Sequence, residues 1–161
     1  VMLTKNGPKL LEYNVRLGDP ETQSVLPLMD FDFHAMCMAI VGGNLKEFGF
    51  KWKSGYQVAP VIVSGGYPGD YEKNIPISVN GNMLKLSTAK IFYAGAIAGR
   101  RGDSGSDLLT SGGRVLACSA YGTTFKEAWE KAYMGVSAVK FDKAFFRKDI
   151  GLPGAAESGK L

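Results

Sequence analysis

The sequence predicts an α+β fold, and three observations carry that prediction. Between Tyr56 and Ala120, short apolar and β-branched runs are separated by turn-forming pairs, the texture of a small sheet. From Thr124 to about Val139, residues Phe125, Ala128, Trp129, Ala132, Tyr133 and Val136 recur at the spacing of one helical face. Near residue 50 the texture changes, so two pieces are expected: residues 1–50 with a strand and helices, and residues 51–151, mostly β with one long helix. Residues 152–161 are small and polar and read as a tail or linker. No internal repeat is visible.

Taken in order, Val1–Leu3 reads as a strand end and Gly7-Pro8 as a turn into a strand over Leu10–Val15. A short helix is expected from Asp19 toward Leu26, where Pro27 ends or kinks it. Asp30 or Asp32 is placed to cap a second helix, Phe33–Val41, which Gly42-Gly43 terminates. That helix is apolar almost all round, so deep burial is expected. Asn44–Gly55, with Phe48, Phe50 and Trp52 alternating, is the candidate boundary. Tyr56–Val63 reads as a strand whose Pro60 marks an edge or a bulge. Ile75–Val79, Lys90–Ala94 and Val115–Ala120 are further strands, divided by Asn-Gly and Gly-Gly turns. Ala144–Arg147 is a last short strand.

Composition narrows the function classes. The chain carries 19 Lys and Arg against 15 Asp and Glu, a net charge of +4, and the basic residues are scattered. Nucleic-acid binders concentrate such charge on one face, so that class is not expected. No apolar run approaches bilayer length and the first residues lack a signal-peptide pattern, so a cytoplasmic protein without membrane contact is expected. Cys37 and Cys118 lack metal-site spacing and are expected to be reduced and buried. His34, the only histidine, reads as a packed or surface residue.

The chemistry concentrates in Leu10–Gln23. Alternation puts Leu11, Tyr13 and Val15 on one face and Glu12, Asn14 and Arg16 on the other. Carboxylate and amide oxygens are the hard ligands Mg²⁺ takes, and Arg16 offers a fork for phosphate or carboxylate. Gly18 permits an unusual backbone, Asp19 is a good N-cap, and Pro20 suits the first helical position. A helix N-terminus would then present N–H groups to an anion. The same pattern fits an edge strand with a solvated polar face, and physics alone does not choose between the two.

The segment Gly7-Pro8-Lys9-Leu10-Leu11-Glu12-Tyr13-Asn14-Val15-Arg16-Leu17-Gly18-Asp19-Pro20-Glu21-Thr22-Gln23 resembles the signature of the glycinamide ribonucleotide synthetases (phosphoribosylamine–glycine ligases), members of the ATP-grasp family. Ser64–Tyr71, Thr110–Leu116 and Phe146–Gly151 resemble further blocks of that family, in its order. The resemblance implies the end of an ATP-grasp catalytic domain followed by a small hybrid-barrel domain. It implies ATP-dependent joining of glycine to 5-phosphoribosylamine, with Mg²⁺ or Mn²⁺ held by Glu12 and Asn14. It further implies substrate contacts at Arg16, Gly18 and Asp19, with Arg16 also catalytic toward a phosphate or the glycine carboxylate, and Leu11 as a cofactor-binding position. The lysines, adenine segment and lid of the family's ATP site have no counterpart in these residues. The N-terminal part of the same ligase is therefore an expected partner, and fusion to another purine-pathway enzyme is consistent with the tail. By itself the chain is expected to be inactive.

Four other motifs weigh less. The glycine-rich loop Ser64–Tyr71 and the turn around Arg114 read first as tight turns, the latter with a solvated arginine. Gly154–Lys160 superficially fits a phosphate-binding loop, but Leu161 stands where a hydroxyl is required. Arg101-Gly102-Asp103 is a tripeptide that chance supplies often.

Overall fold

The structure, a computed structural model, describes residues 1–99 and 107–152. The Arg101–Asp103 tripeptide and the Gly154–Leu161 segment lie outside the described residues. A hairpin opens the chain, β1 (Met2–Thr4) against β2 (Gly7–Lys9). A one-turn helix α1 (Thr22–Val25) and the helix α2 (Phe33–Val41) follow. Next come β3 (Tyr56–Val58), β4 (Val61–Val63), β5 (Ser78–Val79), α3 (Gly81–Ser87), β6 (Lys90–Tyr93), β7 (Ala96–Ala98), β8 (Leu108–Thr110), β9 (Arg114–Gly122), α4 (Phe125–Ser137) and β10 (Val139–Lys140).

One strand carries the main sheet. The nine-residue β9 pairs antiparallel with β3 and β4 along one edge and with β6 along the other. The expected strand Tyr56–Val63 is thus interrupted at Ala59-Pro60, where proline supplies no donor. The ladder is kept there by Cys118, whose N–H donates to the Pro60 carbonyl at 3.1 Å. Small antiparallel pairs, β7 with β8 and β5 with β10, flank this sheet.

Helix α4 packs along β9. Ile62, Val115, Leu116, Cys118, Val136 and Val139 form one buried cluster, and Val58, Ala89, Ala120, Ala128 and Ala132 form another. Thr124 caps α4, its Oγ1 accepting from the Glu127 N–H at 3.2 Å. Glu127 in turn accepts from Thr123 N–H at 2.7 Å, from Thr123 Oγ1 at 2.8 Å, and from Lys131 Nζ at 2.7 Å. These donors, Lys131 foremost, hold its carboxyl down at about 2 against an ordinary 4.5. A depressed carboxyl stabilises the fold above the unfolded-state value and loses that contribution as pH falls toward the folded one. Glu127→Gln is therefore expected to lower the thermal midpoint by about a few degrees at pH 7. The difference from wild type should shrink from pH 4.5 downward and vanish near pH 2.

Gly135 lies inside α4 for a steric reason. A Cβ there would meet Ala89 Cβ at 2.6 Å and Cys118 Cβ at 3.4 Å. Alanine gains about 1 kcal/mol over glycine in a free helix, whereas overpacking a rigid core costs about 1–3 kcal/mol. The rigid Ala89 contact decides, and Gly135→Ala is expected to lower stability by about 1 kcal/mol in denaturant titration.

Several expectations need correction. Leu10–Val15 forms no ladder: the hairpin turns at Lys5-Asn6, Pro8 sits within β2, and residues 10–17 make no backbone hydrogen bond to another element among the described residues. Leu11, Tyr13 and Val15 accordingly face solvent, Val15 to 94%. Helix α2 has the expected bounds, and Asp32 Oδ1 accepts from Ala35 N–H at 2.8 Å. It is not deeply buried, however; Met38, Ile40 and Val41 are exposed because nothing among the described residues covers its outer face. Asn80-Gly81 opens a helix instead of turning a hairpin, with Asn80 Oδ1 capping Met83 N–H at 3.0 Å. Ala144–Arg147 is reduced to a single bridge, Phe145 with Val63. Cys118 is buried and its thiol is pushed up to about 12 by desolvation, while Cys37 is only half-buried. His34 is a surface residue. No helix among the described residues is long and apolar enough to cross a membrane.

Candidate functional site

Glu12 and Asn14 lie two residues apart on the exposed run that follows β2, outside any regular element. Their side chains meet: Asn14 Nδ2 donates to Glu12 Oε1 at 2.9 Å. Oxygens on neighbouring corners of an octahedron about 2.1 Å from Mg²⁺ are themselves about 3 Å apart. The two side chains thus reach the separation one small cation needs, and turning the Asn14 amide over presents its oxygen beside the carboxylate. The pair fits a share of a hard cation's ligands, the rest being left to water or phosphate. No group of three or more His, Cys, Asp or Glu side chains able to hold a metal occurs among the described residues. Arg16 is close by in sequence but turns its guanidinium back onto the Leu17 carbonyl, at 3.1 Å. Leu11 is likewise exposed.

The turn that follows is built differently from its expectation. Helix α1 is four residues long, begins at Thr22, and has no side-chain cap. Asp19 is not its N-cap, Pro20 follows a cis peptide bond outside the helix, and no anion-binding helix end is formed. Gly18 does not adopt a left-handed backbone. Its missing side chain instead makes room for the Glu21 carboxylate, which packs where a Cβ would stand. Both oxygens of Asp19 are engaged: Oδ1 accepts from Gln23 Nε2 at 3.1 Å, and Oδ2 lies 3.3 Å from Arg114 Nη2.

Arg114 and Ser119 of β9 fasten this turn to the sheet. Arg114 Nη1 donates to the Asp19 carbonyl at 3.0 Å, and Ser119 Oγ donates to the Gln23 carbonyl at 2.6 Å. Gln57 Nε2 donates in turn to Ser119 Oγ at 2.6 Å. Arg114 is therefore an anchoring arginine, not the solvated one expected. No local pattern signals these contacts, because the partners are 95 and 96 residues apart.

The four sequence blocks come together in space. Asp19 meets Arg114, and Ser64 Oγ donates to the Gly112 carbonyl at 2.9 Å, so the two glycine-rich turns brace each other. Val63 and Phe145 exchange backbone hydrogen bonds at 2.8 and 3.0 Å, which brings in the last block. There Arg147 forks onto Asp149 at 2.9 and 2.6 Å. Pro20, Tyr67, Phe146, Arg147 and Ile150 surround a cavity of about 260 Å³. Its walls are nearly all apolar, so it joins the blocks mechanically and does not suit a polar substrate. The Ser64–Tyr71 loop is thus a packed turn.

These features define a class: a small mixed α/β domain with an oxygen-donor motif fastened to one face of its central strand. Residues 57–153 match the family model for phosphoribosylglycinamide synthetase, C domain. The chain belongs to the phosphoribosylglycinamide synthetase family. It is 45% identical over 150 residues to the bifunctional purine biosynthetic protein ADE1 of Schizosaccharomyces pombe, covering 93% of this chain and 18% of that protein. A phosphoribosylamine–glycine ligase of Clostridium acetobutylicum is 44% identical over 151 residues, covering 94% of this chain and 34% of the relative. A crystal structure of phosphoribosylamine–glycine ligase from Thermotoga maritima superposes with a TM-score of 0.69 at 33% identity, over 92% of this chain and 35% of that one. The chain therefore spans about a third or less of the length of these relatives.

Proposed function

We propose that this chain serves as the C-terminal part of an ATP-dependent phosphoribosylamine–glycine ligase of purine biosynthesis. The observation that carries the reading is the 2.9 Å approach of Glu12 and Asn14 in a chain of this family. Residues 1–50 then close an ATP-grasp domain, residues 51–151 form the hybrid-barrel domain beside it, and residues 152–161 are a tail or linker. The bifunctional relative supports a linker that leads into another purine-pathway enzyme. The partners are ATP, glycine, 5-phosphoribosylamine and the remainder of the ligase, in the cytoplasm.

In the reaction, a glycine carboxylate oxygen attacks the γ-phosphorus of ATP and ADP departs. The amine nitrogen of phosphoribosylamine then attacks the acyl carbon of glycyl phosphate. The C–N bond forms, phosphate leaves, and the nitrogen gives up a proton. A bound Mg²⁺ or Mn²⁺ neutralises phosphate charge and keeps the transfer in line. Glu12 and Asn14 are the residues that would hold it. Arg16, released from the Leu17 carbonyl, has the reach and fork to orient a phosphate or the glycine carboxylate. Gly18 and Asp19 shape the turn at the substrate end, with Leu11 toward the nucleotide.

Glycine- and phosphoribosylamine-dependent ADP release by the complete ligase, with Mg²⁺ and ATP, is the test. Release that needs both substrates is expected. ADP release that ignores one of them would overturn the assignment.

A further inference from the structure

We infer that Arg114 is a positioning residue for the Glu12–Arg16 motif, aimed at it by a β-bulge in the central strand; the inference rests on the proposed reading of that motif as a metal site. Along β9, Ala117 and Ser119 share a face, whereas Arg114 is an odd number of residues from Ser119 and belongs on the other face of a regular strand. The register breaks this parity. Ile62 pairs with Leu116 but Val63 pairs with Arg114, so Val115 is an extra residue opposite β4. Such a bulge redirects the side chains beyond it. Arg114 and Ser119 consequently reach the same turn and grip its two ends, Asp19 and Gln23. Gln23 and Asp19 close the ring through their own side chains.

Among the described residues, this clamp is the last hydrogen-bonded attachment of the motif to the sheet. Upstream of Gly18, residues 10–17 make no backbone hydrogen bond to another element among the described residues. The direction in which Glu12, Asn14 and Arg16 leave the domain is therefore set at Asp19. The ion pair itself is half-exposed, 42% at Arg114 and 48% at Asp19, so its loss should cost little stability. A residue that adds little to stability yet fixes a donor motif is read through metal binding and turnover.

The experiment uses the complete ligase and measures Mn²⁺ binding in the presence of ATP, kcat, the KM for each substrate and the thermal midpoint. Arg114→Ala is expected to weaken Mn²⁺ binding by about tenfold and to lower kcat, as loss of a supporting partner behind a ligand does. The thermal midpoint should move by no more than about a few degrees. Asp19→Asn should do the same, and the double variant should be no worse than either single one. Arg114→Lys keeps charge but not the two-point fork, so it should recover only part of the loss; it also carries the test if Arg114→Ala does not fold. Unchanged Mn²⁺ binding and kcat in Arg114→Ala, with Mn²⁺ lost in Glu12→Gln, would overturn the positioning role and leave the metal site standing. Unchanged Mn²⁺ binding in Glu12→Gln would overturn the metal site and the positioning role with it.

Discussion

Replacing Glu12 by alanine is expected to lower ADP release by the complete ligase by about a hundredfold while leaving the domain folded. The side chain is exposed and its only partner among the described residues is its neighbour Asn14, so the fold loses nothing that it relies on. On the proposed metal role, the variant loses the full negative charge that would hold the cation against the phosphates. The Asn14 amide cannot replace it, because an amide oxygen carries only a dipole. Glu12→Asp, which keeps the charge but shortens the reach, should fall between wild type and alanine. Steady-state turnover with a circular dichroism melt on the same samples checks both halves. Near-normal turnover of Glu12→Ala would remove the metal role.

The largest expected stability effect lies at Leu116. This side chain is fully buried within β9, with Ile62 opposite on one edge and Tyr93 on the other. Leu116→Ala removes its transfer energy and leaves a hole that these paired neighbours are poorly able to close. A cost of about 3–4 kcal/mol follows from core truncations of this kind. In a domain of this size that is a fall in thermal midpoint of at least about 10 °C. Leu86→Ala is the matched control: Leu86 is 77% exposed on α3, and its loss should stay within about 0.5 kcal/mol. Equal effects at the two positions would mean that the core is not centred on β9.

What could be read from the sequence was local. A cap at Asp30 or Asp32 announced α2, the structure using Asp32, and Thr124 announced α4, each before an apolar period. Pro60 marked an edge, and β3 and β4 do line one edge of the sheet, but the break between them at Ala59-Pro60 was not legible in a run that reads as one strand. Parity also put Glu12, Asn14 and Arg16 on one face; Glu12 and Asn14 do meet, whereas Arg16 turns to the Leu17 carbonyl. What escaped depended on distant or missing partners. Leu10–Val15 alternates like a strand, but alternation fixes faces and does not supply a ladder. Asn80-Gly81 has turn chemistry, yet an Asn that turns the chain also caps a helix, and the residues behind it decided for α3. The antiparallel pair β7 and β8 is built from weakly patterned residues that carry no strand signal. The clamp by Arg114 and Ser119 depends on a bulge, which leaves no mark in composition or period.

The place of β9 in the chain has a consequence for how the domain is made. The strand that both edges require comes near the end, and Tyr56 must wait for Gly122 before it can pair. During synthesis, β3, β4 and β6 emerge from the ribosome as unpaired segments with no sheet to join. Assembly is therefore delayed until α4 and β9 are both available, and such non-local closure is slow relative to helix formation. A nascent chain stopped shortly before Arg114 should remain protease-sensitive throughout residues 56–93. One extended beyond Val139 should become resistant in a single cooperative step. Translation of the last third of this domain thus sets when the whole of it becomes stable.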